Sequence, residues 1–327
     1  MIIKCPSRLH MALINMDGSI GRMDGGIGLT LTDPSLVLEG EISENSEITV
    51  SFKEEIDGET KAEYVDKIKS AANMVKEHFN IEEGFDFIVH QIIPNHSGLG
   101  SGTQIALGAA KIITQSKGME LSAVELSTVV KRGGTSGIGT YAFESGGFIL
   151  DAGHSRKEKP DFLPSSASPA KPPKLIGRYD FPQDWNILLA IPKADDAVNG
   201  SKEVNVFQER CPVPSDEVLD LAHVILMNMI PFILEEDIEG YGKSVDMIQY
   251  KGFNFIDIDV QDDRIKDLMK YLNEISYGAG ISSFGPTIFT VFDEKNAEIV
   301  DKVKDYLNDD DLVIVTKAQN HGFEIIG

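Results

Sequence analysis

Cysteine is nearly missing from this chain of 327 residues, which carries only Cys5 and Cys211. Two thiols build neither a disulfide framework nor a tetrahedral zinc site. Basic residues are also scarce, 30 Lys and Arg against 52 Asp and Glu, for a formal net charge of -22. Such a surface repels nucleic acid and anionic membranes, so neither is expected as a partner. Any phosphate-binding cleft must be locally positive against that background. No apolar run approaches the roughly 20 residues of a bilayer span. The opening Met1-Ile2-Ile3-Lys4-Cys5-Pro6 lacks a charged head followed by an apolar stretch and reads as a strand. A soluble, cytoplasmic protein is expected. Apolar residues are not lacking: at 42% they can fill a core, and the length suggests two domains.

Short strands are predicted at residues 2–3, 9–14, 28–32, 47–52 and 85–91. Residues 61–79 have helical spacing, with Tyr64, Ile68, Ala71, Ala72 and Val75 on one face. A loop at 94–100 leads into a helix over 101–117, ended by Gly118. Ser122 and Glu125 form a capping box for the next helix, which stops at Gly133-Gly134. Strands follow at 147–151 and 186–191. Between 157 and 185 prolines cluster, which predicts a surface excursion or lid outside the core. A long helix over 215–235 should kink at Pro231. Helices at 262–275 and 296–307 alternate with strands at 287–292 and 312–315. The pattern is α+β, with a domain boundary near Lys193 giving domains 1–193 and 194–327.

Three glycine-rich stretches stand out. The sharpest is Pro94-Asn95-His96-Ser97-Gly98-Leu99-Gly100-Ser101-Gly102-Thr103-Gln104. Glycines permit close backbone approach, and the helix that follows aims N–H groups and a positive dipole end at an anion. No Lys-Ser or Lys-Thr follows, so it is not a Walker A loop; a turn that merely lets the helix pack tightly is an equal reading. The others are Arg132-Gly133-Gly134-Thr135-Ser136-Gly137-Ile138-Gly139 and Gly278-Ala279-Gly280-Ile281-Ser282-Ser283-Phe284-Gly285-Pro286-Thr287.

In this order and spacing the three resemble the motifs of the GHMP small-molecule kinases, over nearly the whole chain. The resemblance implies an N-terminal domain like ribosomal protein S5 domain 2 and a ferredoxin-like C-terminal domain. Many of those kinases place an aspartate where this chain has Gly139, and glycine cannot accept a proton. Kinase chemistry is therefore disfavoured. Instead Ser7-Arg8-Leu9-His10, the run from Asn15 through Arg22-Met23-Asp24-Gly25-Gly26 to Leu29, the stretch Phe143-Glu144-Ser145-Gly146-Gly147 continuing through Asp151 to His154, and Gly200-Ser201-Lys202-Glu203 resemble the β-ribofuranosylaminobenzene 5'-phosphate synthases.

That family implies decarboxylating transfer from phosphoribosyl pyrophosphate to 4-aminobenzoate or 4-hydroxybenzoate in methanopterin biosynthesis, with Mg²⁺ and a homodimer. Gly98, Gly100, Ser101, Gly102, Thr103 and Gln104, with Arg8, Arg132, Thr135 and Ser136, are then expected to bind substrate. Arg22, Asp24, His10 and His154 are the candidate catalytic residues, with Arg22 favoured for an anionic substrate and Asp24 orienting it. Asp24, Glu144 and Asp151 are the candidate Mg²⁺ ligands; His96 is a further motif histidine and Lys131 a further motif cation, and Lys202 and Glu203 are candidates facing the cleft from the second domain. Two rivals stay open: an ATP-dependent kinase using Asp151 instead, and a sugar-phosphate sensor without catalysis.

Overall fold

The computed structural model describes residues 1–165, 167–168, 170–193 and 200–327. Two long strands dominate the first half: β1 (Ile2–Asn15) and β2 (Arg22–Ser43). The short strands expected at 2–3, 9–14 and 28–32 are pieces of these. The signals that suggested breaks are absorbed as register shifts at Pro6/Ser7 and His10/Ala12, and a bulge takes up extra residues without ending a ladder. Then come β3 (Ile48–Phe52), α1 (Gly58–Phe79), β4 (Gly84–Gln91), α2 (Ser101–Ser116), α3 (Ala123–Val129), α4 (Ile138–Glu144), β5 (Phe148–Asp151), β6 (His154–Ser155) and β7 (Leu175–Tyr179). The Asp57 side chain accepts from Thr60 N at the start of α1, and Asn80 in the left-handed conformation ends it. The five apolar residues read from the sequence are its buried face. The Ser122/Glu125 capping box is present on α3.

The second half comprises β8 (Asn186–Ile191), α5 (Gly200–Arg210), α6 (Ser215–Val224), α7 (Ile230–Leu234), α8 (Ile238–Gln249), α9 (Gly252–Asp259), α10 (Asp263–Ile275), β9 (Ala279–Ile281), β10 (Ile288–Phe292), α11 (Ile299–Tyr306), β11 (Leu312–Thr316) and β12 (Glu324–Ile325). Between α6 and α7 one π turn, Ile225–Met229, widens the helix just ahead of Pro231, so the kink expected there takes that form. The continuous helix Ser215–Leu234, 20 residues long with an 18-residue window of mean hydropathy 1.7, is long and apolar enough to cross a membrane by length and composition. This corrects the expectation that no run comes close: its acids, Asp216, Glu217 and Asp220, crowd the first two turns and leave the rest apolar. Its Leu221, Val224, Ile225, Met229, Ile230 and Ile233 are buried in the protein core, while Leu219, Leu226, Met227 and Leu234 are exposed.

The first sheet runs β12-β1-β2-β4-β3, with β5 and β6 also on β2 and β7 on β5. The second is an antiparallel β11-β8-β10-β9. Thus β8, upstream of the expected boundary at Lys193, already belongs to the second sheet, and β12 returns to the first. Residues 194–199, on the other side of that boundary, lie outside the described residues. One large apolar core joins both halves, from Leu9, Leu29 and Ile105 to Leu189, Leu221 and Tyr241. A small separate cluster, including Leu13, Phe207, Phe253 and Phe284, forms at their junction.

The region 157–185 is not only a surface excursion. Residues 175–179 form β7, Phe181 and Trp185 enter the main core, and Lys159 is only 2% exposed. A buried anion, Asp24, draws Lys159 inward.

Candidate functional site

A cavity of about 270 Å³ opens at the junction of the halves. One wall is the glycine loop. Gly98 and Gly100 have φ of 81° and 82°, a region costly for other residues. A Cβ on Gly98 would lie 2.1 Å from the Ser282 carbonyl oxygen. The third motif is therefore the brace of the first: Ser282 Oγ donates to Gly98 O at 2.8 Å and Thr287 Oγ1 to Ser97 O at 2.5 Å. His10 N donates in turn to Ser282 Oγ at 3.0 Å.

Alternation along β1 sends Leu9 into the core and Arg8 and His10 towards the cavity. The Arg8 guanidinium donates to Gly98 O, while its Nε is buried with no partner. Burial lowers Arg8 to about 10, opposed by Glu203, so it remains a cation at neutral pH. His10 is pushed down to about 3 by burial, reinforced by Arg8, and is a neutral imidazole. Two more cations meet over the first turn of α2. A Cβ on Gly102 would lie 3.6 Å from both terminal nitrogens of Arg132 and 3.7 Å from Lys67 Nζ. Lys67 pairs with Glu63, which also holds His96 at 3.1 Å. No acidic residue occupies the first turn of α2, and no side chain caps it. Thr135 and Ser136 complete this wall.

The opposite wall comes from the second half. Glu203, Phe207, Phe253, Asp257 and Phe284 all line the cavity. Ring centroids of Phe207 and Phe253 are 4.8 Å apart, and those of Phe253 and Phe284 5.8 Å. Such a wall suits a flat aromatic ligand.

Other residues expected at the site lie elsewhere. Arg22 is exposed, and its Nη2 donates to the carbonyls of Ala152 (2.8 Å) and Gly153 (3.1 Å). It ties β2 to the β5–β6 turn, and it neither lines the cavity nor pairs with Asp24. Asp24 is 1% exposed and accepts from Lys159 Nζ at 2.9 and 3.1 Å and from His154 Nδ1 at 2.6 Å. The other His154 nitrogen lies 2.8 Å from Lys171 O. With an acceptor at each nitrogen, His154 is an imidazolium. Lys159 also donates to Thr135 Oγ1 and Leu163 O, so this cluster buckles the chain after β6 onto the cavity rim. Gln104 is buried and holds Gly139 O at 2.9 Å instead of touching the cavity.

The three carboxylates named for Mg²⁺ do not fit a metal site. Asp24 is already bound to two cations. Asp151 accepts the backbone N–H groups of Gly137 and Gly153, each at 2.9 Å, and burial raises it to about 6. Glu144 lies outside the cavity, where Oε1 accepts from Ala123 N. Among the described residues no group of three or more His, Cys, Asp or Glu side chains is placed to hold a metal.

The GHMP kinases N terminal domain family matches residues 66–147. A "Beta-ribofuranosylphenol 5'-phosphate synthase" of Methanothermobacter thermautotrophicus is 49% identical over 98% of this chain and 97% of its own. A protein of the same name from Methanocaldococcus jannaschii is 42% identical over 99% and 100%. The chain belongs to the β-ribofuranosylphenol 5'-phosphate synthase family. Its fold is the two-domain GHMP α+β fold: the mevalonate kinase of Methanococcus jannaschii superposes with a TM-score of 0.71 at 15% identity, over 98% of each chain.

A Cβ on Gly139 would lie 3.1–3.4 Å from Thr103 side-chain atoms, so the threonine takes up room that an aspartate there would need. Four features escaped the sequence reading: Lys67, Lys159, Asp257 and the phenylalanine wall. Asp257, a lone acid on the buried side of a largely apolar helix, is the one that a burial pattern could have flagged.

Proposed function

We propose that this chain transfers a 5-phosphoribosyl group from phosphoribosyl pyrophosphate to the carboxyl-bearing ring carbon of 4-hydroxybenzoate, releasing CO2 and pyrophosphate. The observation that carries the reading is the pairing of two walls in one cavity. Lys67 and an Arg132 guanidinium that no side chain engages among the described residues lie over a glycine-rich helix start, and phenylalanines stand opposite. The first suits the donor's phosphates, through bidentate guanidinium contacts and helix N–H groups. The second suits a benzene ring and excludes water, which would otherwise hydrolyse the donor. The ribosylphenol in the relatives' printed name supports the hydroxybenzoate over the aminobenzoate.

In the reaction, the bond from ribose C1 to pyrophosphate breaks and its electron pair leaves with pyrophosphate. The ring carbon bonds to C1, pushed by the para oxygen. The carboxyl group then departs as CO2, and its electron pair restores the aromatic ring. Arg8 and Arg132 neutralise the leaving pyrophosphate, and the neutral His10 is a hydrogen-bonding group that adds no charge. Soluble phosphate-ester substrates suit work in the cytoplasm, and the family resemblance supports a homodimer.

Neither position considered for a kinase base serves, because Gly139 is bare and Asp151 is spent on backbone N–H groups. The test is incubation with phosphoribosyl pyrophosphate and each benzoate. The reading expects CO2 and pyrophosphate in equal amounts without ATP. ATP consumption would favour a kinase, and no turnover a sensor.

A further inference from the structure

Two helices build the wall opposite the glycine loop with the same device. On α5, Glu203 and Phe207 are four residues apart, and on α9 so are Phe253 and Asp257. That spacing sets each acid and its ring on one helix face, a turn apart. Both acids line the cavity. Asp257 is 6% exposed, and its Oδ1 has no hydrogen-bond partner. The fold gives no reason to bury an unsatisfied carboxyl oxygen beside another carboxyl group, and buried polar groups are normally bonded.

We propose that Glu203 and Asp257 hold the proton of the acceptor's para hydroxyl during the reaction, and so fix which way round the benzoate enters. The inference rests on the reading of the chain as a phosphoribosyl transferase acting on 4-hydroxybenzoate. Charge sorts the ends of that ligand. Glu203 and Asp257 repel its carboxylate, which leaves the hydroxyl facing them.

The proton balance calls for such a pair. As the ring carbon bonds to ribose and pyrophosphate leaves, the hydroxyl loses its proton and the ring becomes a cyclohexadienone. When the C–CO2 bond breaks, its electron pair returns to the ring and the oxygen takes a proton back. One proton leaves and one returns. A carboxylate beside a carboxylic acid serves both steps. Burial raises Glu203 to about 7, opposed by Arg8, and raises Asp257 well above its ordinary value, reinforced by Glu203. Asp257 is the more buried of the two and holds its proton more readily, which leaves Glu203 to take the hydroxyl's. Other titratable groups facing the pair are Arg8 and His10 from β1, Lys67 from α1, Arg132 and His96 from the glycine-motif loops, and Cys211, which burial keeps a thiol.

The test uses Glu203→Gln and Asp257→Asn, with melting curves and calorimetric titration of phosphoribosyl pyrophosphate to follow fold and donor site. Both variants should bind the donor as wild type does, and kcat with 4-hydroxybenzoate should fall on the order of 10²-fold or more. The kcat–pH limb near neutrality should vanish in Glu203→Gln. A ring-fluorinated 4-hydroxybenzoate, whose hydroxyl gives up its proton more readily, should lose less activity. Variants that match wild type, or an equal loss for both acceptors with an unchanged pH profile, would overturn the pair alone. A wild type inactive with 4-hydroxybenzoate would overturn the functional reading and the pair together.

Discussion

Two groups of buried charge lie on either side of Thr135, and they differ in one respect. In the Asp24 cluster every charge has its partner: Asp24 with Lys159 and His154, His154 with Lys171 O, Lys159 with Thr135 and Leu163. In the cavity Lys67 pairs with Glu63, but other charges are left over. Arg8 Nε and Asp257 Oδ1 are buried without partners, and no side-chain hydrogen bond or ion pair engages the Arg132 guanidinium among the described residues. A satisfied buried charge holds a structure together, whereas an unsatisfied one awaits a ligand. Both groups contain residues from glycine-flanked motifs, so motif membership alone does not separate them.

That contrast is broken most forcefully at Asp24. Asp24→Ala leaves Lys159 and His154 buried without their anion and should destabilise the fold by about 3–5 kcal/mol. Asp24→Asn combined with Lys159→Met, which removes both charges and keeps a residue that tolerates the left-handed backbone at position 24, should recover most of the loss. Denaturant midpoints check both. If the single variant melts like wild type, the cluster is not the buckle described.

A smaller effect comes from pH. Burial lowers the His154 pKa, but its bonds to the Asp24 carboxylate and Lys171 O outweigh that and raise it above 6.5. A raised folded-state value means that the stabilisation is fully present below the unfolded value and is lost as pH rises through the folded one. Melting temperature should therefore fall from wild type as pH rises above 6.5, and the difference from His154→Gln should narrow over the same window. A constant difference across that window would show that His154 does not titrate there.

The smallest effect belongs to Arg22. Its two carbonyl contacts are exposed or only part-buried, so Arg22→Ala should cost ~1 kcal/mol or less in stability. It should leave kcat/KM for both substrates unchanged. A large kinetic loss would return Arg22 to the site and blur the contrast.

What the sequence made legible was local. The glycine loop, Arg8, Arg132, Thr135 and Ser136 sit inside short motifs, and the fold brings them to one cavity. The α1 face and the α3 capping box were readable for the same reason. Pairings across the chain were not: Lys159 meets Asp24 over a separation of 135 residues, and nothing near either one announces it. The lengths of β1 and β2 were hidden because prolines and glycines that usually end strands here sit at bulges. Arg22 misled because a charged residue between glycines looks the same whether it faces a ligand or two carbonyls.

Calorimetric titration of Arg132→Ala with phosphoribosyl pyrophosphate tests the central contrast most directly. Arg132 has no protein acceptor to lose, so its removal should leave the melting temperature as it is. Donor affinity should fall by roughly 1.5–3 kcal/mol, about one to two decades in Kd. Unchanged affinity, or a loss of stability in its place, would contradict the account.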